Sequence, residues 1–194
     1  QPKLGGGLRD DAVQDRGADG ALIAGATPLM RAAAGGDIPA LKLLLAAGAK
    51  VDLPNEDDAT PLMAAVSAAG TRGRNKTEEQ ALEAVKLLRA AGADVNTADV
   101  RGMTAAHHAA FRGWNAVLRE LAAQGANLDA READRLTPLD YALGRSRVGF
   151  LQTKPPVRTE TAALLRELGA REDNPNLPPW PGVGTPGLRA IVPR

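Results

Sequence analysis

Apolar residues recur along this chain in two textures. In short Ala-rich stretches they are nearly continuous, as in Leu29–Ala34 and Leu62–Ala69. Between those stretches Leu and Val fall at helical spacing: Leu41, Leu44 and Leu45; Leu82, Val85 and Leu88; Val117, Leu118 and Leu121; Leu164, Leu165 and Leu168. Residues three and four apart share one face of an α-helix, so each set predicts a short amphipathic helix. Thr-Pro-Leu opens Ala-rich stretches: threonine caps free amides and proline fits the first helical position. A glycine follows each Leu/Val set, at 48, 92, 125 and 169, and can close a helix in the left-handed conformation. Polar segments such as Asp94-Val95-Asn96 then read as turns.

These markers repeat with a fixed register. Threonine falls at 27, 60, 104 and 137, in steps of 33, 44 and 33. The Gly-Ala pairs step by 44, 33 and 44, and each glycine precedes the next threonine by 12. Thr to Gly is 21, 32, 21 and 32, so two units carry an 11-residue insertion at the same internal place. Fixed periods of this size are the signature of stacked supersecondary units.

TPLM (27–30 and 60–63), TAAHHAA (104–110), TPLDYA (137–142), LKLLLAAGAKVD (41–52) and VKLLRAAGADVN (85–96) resemble the ankyrin repeat, over Ala26 to Ala170. The Ala-rich style resembles bacterial ankyrin proteins. The resemblance implies an all-α solenoid of four helix–turn–helix units with β-hairpin finger loops. The units would span 26–58, 59–102, 103–135 and 136–170, between an extended segment 1–25 and a Pro-rich tail 171–194. No single unit buries its apolar face alone; neighbours complete the core. The resemblance further implies a protein-binding scaffold whose contacts come from fingertips and first-helix ends. On this chain those positions are Glu56, Asp57 and Ala59; Val100, Arg101 and Met103; Ala133, Asp134 and Leu136; then Ser67, Ala68, Phe111, Arg112, Gly144 and Arg145. His107 matches the family histidine that bonds within and between repeat turns. Met30, Met63 and Asp140 stand where that histidine often is, and Ala105 replaces the helix-starting proline.

The insertions, around Thr71–Glu79 and Gly144–Thr159, are basic: Arg72, Arg74 and Lys76, then Arg145, Arg147, Lys154 and Arg158. They read as solvated loops on one edge, on the order of 20 Å apart given the spacing of packed helices. A paired basic clamp for an acidic partner is the alternative. Phe150-Leu151 would pin the longer loop to the body. Six of the 14 prolines lie in the tail, which favours extended structure. Trp180 and its apolar neighbours would let that tail dock on the repeats or on another molecule. A chain that starts at Gln1 is expected to be a processed product, a fragment or part of a longer protein.

Composition narrows the chemistry. The 24 basic and 23 acidic residues leave a net charge of +1, and aromatics are 3%. No field or aromatic platform favours nucleic acid, and no apolar run reaches membrane-spanning length. Without cysteine there is no thiolate chemistry or zinc–cysteine site. His107 and His108 are adjacent, without a second ligand group, and Glu56-Asp57-Asp58 lies on a fingertip open to water without a calcium-loop spacing. The chain therefore reads as a non-enzyme without cofactor or metal, holding a protein partner through Glu56, Asp57, Val100, Arg101, Met103, Phe111, Arg112, Asp134, Arg145 and Trp180. A subunit that builds a homo-oligomer or filament through its terminal repeat and tail is a second expectation. A targeting fragment of a larger enzyme is a third.

Overall fold

The computed structural model describes residues 25–67, 76–145 and 156–172. Among them are eight helices: α1 (Pro28–Gly35), α2 (Ile38–Ala46), α3 (Pro61–Val66), α4 (Glu78–Ala90), α5 (Ala105–Arg112), α6 (Asn115–Ala123), α7 (Pro138–Ala142) and α8 (Thr159–Glu167). They pair in chain order, and the pairs stack so that α1, α3, α5 and α7 form one layer and α2, α4, α6 and α8 the other.

Alanine makes the first layer possible. Ala33, Ala34, Ala65, Ala109, Ala110 and Ala142 are fully buried, and their small side chains let neighbouring helices approach closely. Leucine supplies the apolar mass between layers: Leu41, Leu62, Leu88, Leu118, Leu121, Leu139 and Leu165 are buried. Each such leucine contributes about 1.5–3 kcal/mol of burial. Leu44 stands in register with Leu88, Leu121 and Leu165 but is only partly buried.

Each first helix starts at a threonine, and its third residue decides how the cap closes. The Thr27 amide donates to Met30 Sδ at 3.5 Å. His107 Nδ1 meets both the Thr104 amide, at 3.1 Å, and its hydroxyl, at 3.0 Å. Asp140 Oδ2 takes the Thr137 amide and hydroxyl, both at 3.1 Å. Three chemistries therefore serve one reciprocal cap. Losing proline at Ala105 does not prevent α5, which begins at that residue.

A second set of bonds registers each pair against the next. Asp52, Asn96 and Asp129 occupy one place in the repeat. Asp52 Oδ1 accepts the Asp94 amide at 3.2 Å, Asn96 Oδ1 the Asn127 amide at 2.7 Å, and Asp129 Oδ1 the Arg171 amide at 2.7 Å. The Asp-Val-Asn turn is therefore a rung between neighbours as well as a turn.

The expected β-hairpin fingers take another form: among the described residues there is no strand. Each finger is a run of tight turns closed by an outer backbone bond, from the amide of Asn55 to Ala59 O, Asp99 to Met103 O, or Glu132 to Leu136 O, at 3.0, 3.0 and 3.2 Å, and by an inner one, from the amide of Asp58 to Asn55 O, Gly102 to Asp99 O, or Arg135 to Glu132 O, at 3.1, 2.8 and 2.8 Å. Single bonds hold finger to finger: the Val100 amide donates to Asp57 O at 3.0 Å and the Ala133 amide to Arg101 O at 2.7 Å. One bond per neighbour, beside residues of positive φ, leaves no ladder to extend. Residues 68–75 and 146–155, which hold most of both insertions, and 1–24 and 173–194, which hold the terminal arms, lie outside the described residues.

Candidate partner-binding surface

The fingertips are set by side chains that mimic backbone. Asn55 Oδ1 accepts the amides of Asp57 and Ala59 at 3.0 and 2.9 Å. Asp99 Oδ1 takes those of Arg101 and Met103 at 2.9 and 2.8 Å, and Glu132 Oε1 takes that of Leu136 at 3.2 Å. Such local bonds fix a turn without a ladder. Burial raises the Asp99 pKa even though the two amides favour its charged form. Asp58, Gly102 and Arg135 share one register position and all have positive φ, at 58°, 78° and 64°. Only glycine suits this conformation without strain. At Gly102 a Cβ would also lie 3.1 Å from the Glu132 Cα.

Rigid turns hold a row of side chains in water. Glu56, Asp58, Arg101 and Asp134 are exposed and Asp57 is half-buried. Val100, at the central tip, is 60% exposed although it is apolar. Met103 does not join the row. It is buried, and the Tyr141 hydroxyl lies 3.9 Å from its sulfur. Its register partner Leu136 is buried too, so the inner side of the finger belongs to the core.

Next to the fingers lies the first-helix layer. His107 is fully buried, and its Nε2 meets Leu136 O at 3.1 Å. With Nδ1 accepting from the Thr104 amide, Nε2 carries the proton. The imidazole thus ties α5 to the next finger, as the resemblance implies. Burial pushes its pKa down to about 4. His108 is half-buried, and burial, then the positive charges of His107, Arg101 and Lys76, lower its pKa to about 4. Phe111 is half-buried, edge-on to Tyr141 with ring centroids 6.3 Å apart, and Tyr141 is likewise edge-on to His107 at 5.5 Å. Arg101 acts electrostatically on both His108 and Tyr141, so the second fingertip's charge is felt across this face.

At the far end of the first helices, two of the basic insertion residues, Lys76 and Arg158, are turned onto the body and not into water. Lys76 is buried, and its Nζ donates to Ala64 O at 2.9 Å and to Ala33 O at 3.3 Å. Helix α3 ends at Ser67 in extended backbone, without the left-handed glycine that closes α1 and α5, so a lysine serves its free carbonyl. Helix C-termini favour cations. Burial, and then the Arg112 charge, lower the Lys76 pKa to about 7. From the second insertion, Arg158 Nε donates to Phe111 O at 3.2 Å, and its amide to Ala142 O at 2.7 Å. Both insertions therefore reach the Arg112-Gly113-Trp114 turn between α5 and α6. The Arg112 guanidinium stacks 3.8 Å from the Trp114 ring centre, Lys76 Nζ lies 5.9 Å from it, and the Arg158 chain covers Gly113. Glu78, where the first insertion becomes α4, accepts the Ala116 amide at 2.6 Å and the Val117 amide at 3.3 Å. It caps α6, whose own N-cap residue, Trp114, makes no side-chain cap.

Of the residues put forward from sequence, Glu56, Asp57, Val100, Arg101 and Asp134 thus fall together on the fingertip row, and Phe111 on the helix face beside it. Arg112 bonds Ser67 O at 3.3 Å and stacks on Trp114 at the other edge. Arg145 is drawn onto Asp140 at 2.9 Å and Glu172 at 3.6 Å, with its side chain 15% exposed. Trp180 and Phe150-Leu151 lie outside the described residues. Lys76 and Glu78 were hidden in sequence, since nothing local marks a loop lysine as buried.

No described helix is long and apolar enough to cross a membrane, and no described group of three His, Cys, Asp or Glu residues is placed to hold a metal. Stacked helical hairpins with capped threonines, rungs between turns and projecting tips define a repeat scaffold. This chain belongs to the ankyrin-repeat family: the model "Ankyrin repeats (3 copies)" matches residues 75–153 and the model "Ankyrin repeat" residues 24–56. It is similar to transient receptor potential cation channel subfamily A member 1 of Drosophila melanogaster, 29% identical over 148 residues, 76% of this chain and 12% of that one. It is also similar to the ankyrin repeat, SAM and basic leucine zipper domain-containing protein 1 of Dasypus novemcinctus, 38% identical over 108 residues, 56% of this chain and 21% of that one. The chain thus spans a small part of these relatives. Ankyrin repeats are in general protein–protein interaction modules, without catalytic machinery of their own.

Proposed function

We propose that this chain is a protein-binding scaffold that seats its partner on the fingertip row and the adjoining first-helix face. Glu56, Asp57, Val100, Arg101, Phe111 and Asp134 make the contacts. The observation that carries this is Val100. An apolar side chain 60% open to water sits on a turn held to the neighbouring finger and flanked by charges of both signs. An apolar anchor with a polar rim is the usual anatomy of a recognition surface. Rigid tips also limit the ordering cost of association.

A photo-crosslinking residue at position 100 tests this in the native cell extract, with the same residue at Lys86 on α4 as control. A discrete adduct at position 100, absent at Lys86 and lost when Arg101→Glu is added, is the expected result. Equal adducts at both positions would place the partner on another face.

A further inference from the structure

The two insertions bring a second recognition feature to the edge away from the fingers. Three cations gather there: Lys76 from the first insertion, Arg112 at the end of α5 and Arg158 from the second. The charges that act between them are all positive. Arg112 lowers the pKa of Lys76, and Arg158 lowers that of Arg112, in each case after burial. None of the three forms an ion pair among the described residues. The carboxylates on the flanking helix starts do not compensate: Glu78 is turned onto the α6 amides, and Glu160 is exposed on the first turn of α8.

The cations have structural uses, but these do not exhaust their donors. Lys76 serves two helix carbonyls. Arg112 commits only Nη1, to Ser67 O, and Arg158 only Nε, to Phe111 O. The remaining guanidinium N–H groups have no partner among the described residues. Beside them an open cleft of about 340 Å³ is lined by Gly113, Asn115, Val157, Arg158 and the first turn of α8. Val157, on its rim, is 51% exposed.

We propose that Arg112 and Arg158, with Lys76 adding charge behind Trp114, form a site for a phosphate monoester carried on a protein segment. Two half-buried guanidinium charges, with a partly protonated Lys76 behind them, call for a multiply charged anion, since one carboxylate would balance only one of them. The planar fork of arginine suits phosphate oxygens, two donors at a time. Glu160, in the cleft lining, repels an anion in proportion to its charge, so binding there depends on the two arginines outweighing it. Val157 gives the residue beside the phosphorylated side chain an apolar contact. This site is separate from the fingertip row, and either can fail without the other.

Trp114 is the built-in reporter, because Arg112 stacks on its ring. With Trp180→Phe removing the other tryptophan, emission of the full chain is followed against a neutral phosphoserine peptide, its unphosphorylated and Glu-substituted forms, and inorganic phosphate. The phosphopeptide should saturate the signal, bind at least about tenfold more tightly than each of the other three, and weaken steeply with salt. Arg158→Gln and Arg112→Lys should each weaken it about tenfold, the second keeping the charge but losing the fork. Their melting curves show that the fold persists. A response common to all peptides, or one untouched by both substitutions, overturns the site. Inorganic phosphate binding as tightly as the phosphopeptide overturns the peptide partner.

Discussion

Lys76 gives this fold a stability signature in an unusual pH range. An unfolded lysine titrates at 10.5, whereas burial holds the folded one at about 7. Between those values the unfolded chain keeps a proton at this site that the folded chain has shed. Stability must therefore rise with pH across that window and level off above the unfolded value. From about pH 7.5 to about pH 9 the gain is about 2 kcal/mol for this one group. The histidines and Tyr141 stay out of that range. Both histidines sit at about 4 in the fold, there is no cysteine, and burial pushes Tyr141 upward, out of the range. Urea unfolding followed by helical circular dichroism, at constant ionic strength over that span, measures the slope. In Lys76→Met the rise should vanish, whatever the substitution does to stability at a single pH. Equal slopes in the two chains would show that Lys76 is not buried as a base against Ala33 O and Ala64 O. A fall in the parent chain would refute the reasoning outright.

Five further outcomes follow from named contacts. Replacing Asp58, whose φ is 58°, by glycine should raise stability by about 0.5–1 kcal/mol, whereas Gly102→Ala should lower it by about 1–3 kcal/mol; thermal unfolding compares the two. Glu78→Gln should cost about 1 kcal/mol, read as earlier exchange of the Ala116 and Val117 amides. Both histidines have lowered folded pKa values, so stability should be complete above the unfolded value of 6.5 and fall as pH drops toward about 4. His107→Met, which copies the residue at the same place in the first two repeats, should flatten part of that acid limb in unfolding titrations.

How much of this was legible in sequence depends on whether the signal was local. Thr27, Thr60, Thr104 and Thr137 announced their helices because a cap is a contact between near neighbours. The Gly-Ala steps gave the hairpin order because the repeat multiplies a weak local signal. Met103 could have been placed correctly: Ala59, Met103 and Leu136 share one register position, and all three are apolar, as an inward-facing site requires. Arg145 was harder, since Asp140 lies five residues earlier but Glu172 comes from beyond α8. Lys76 was not legible. Its burial depends on two helix ends 12 and 43 residues away and on Trp114, and a basic stretch between helices gives no hint of them. The fingers were expected as strands because the family implies hairpins, while positive φ at Asp58 and Arg135, both non-glycine, gave no warning of tight turns.

The rungs from Asp52, Asn96 and Asp129 have a consequence for how this architecture changes over time. These rungs lie in segments whose length never varies, always 12 residues from glycine to threonine. The links between paired helices sit outside that ruler, and two of them have grown by 11 residues without disturbing the stack. New sequence can therefore be spliced at those links, by evolution or by an engineer, while the spine keeps its pitch.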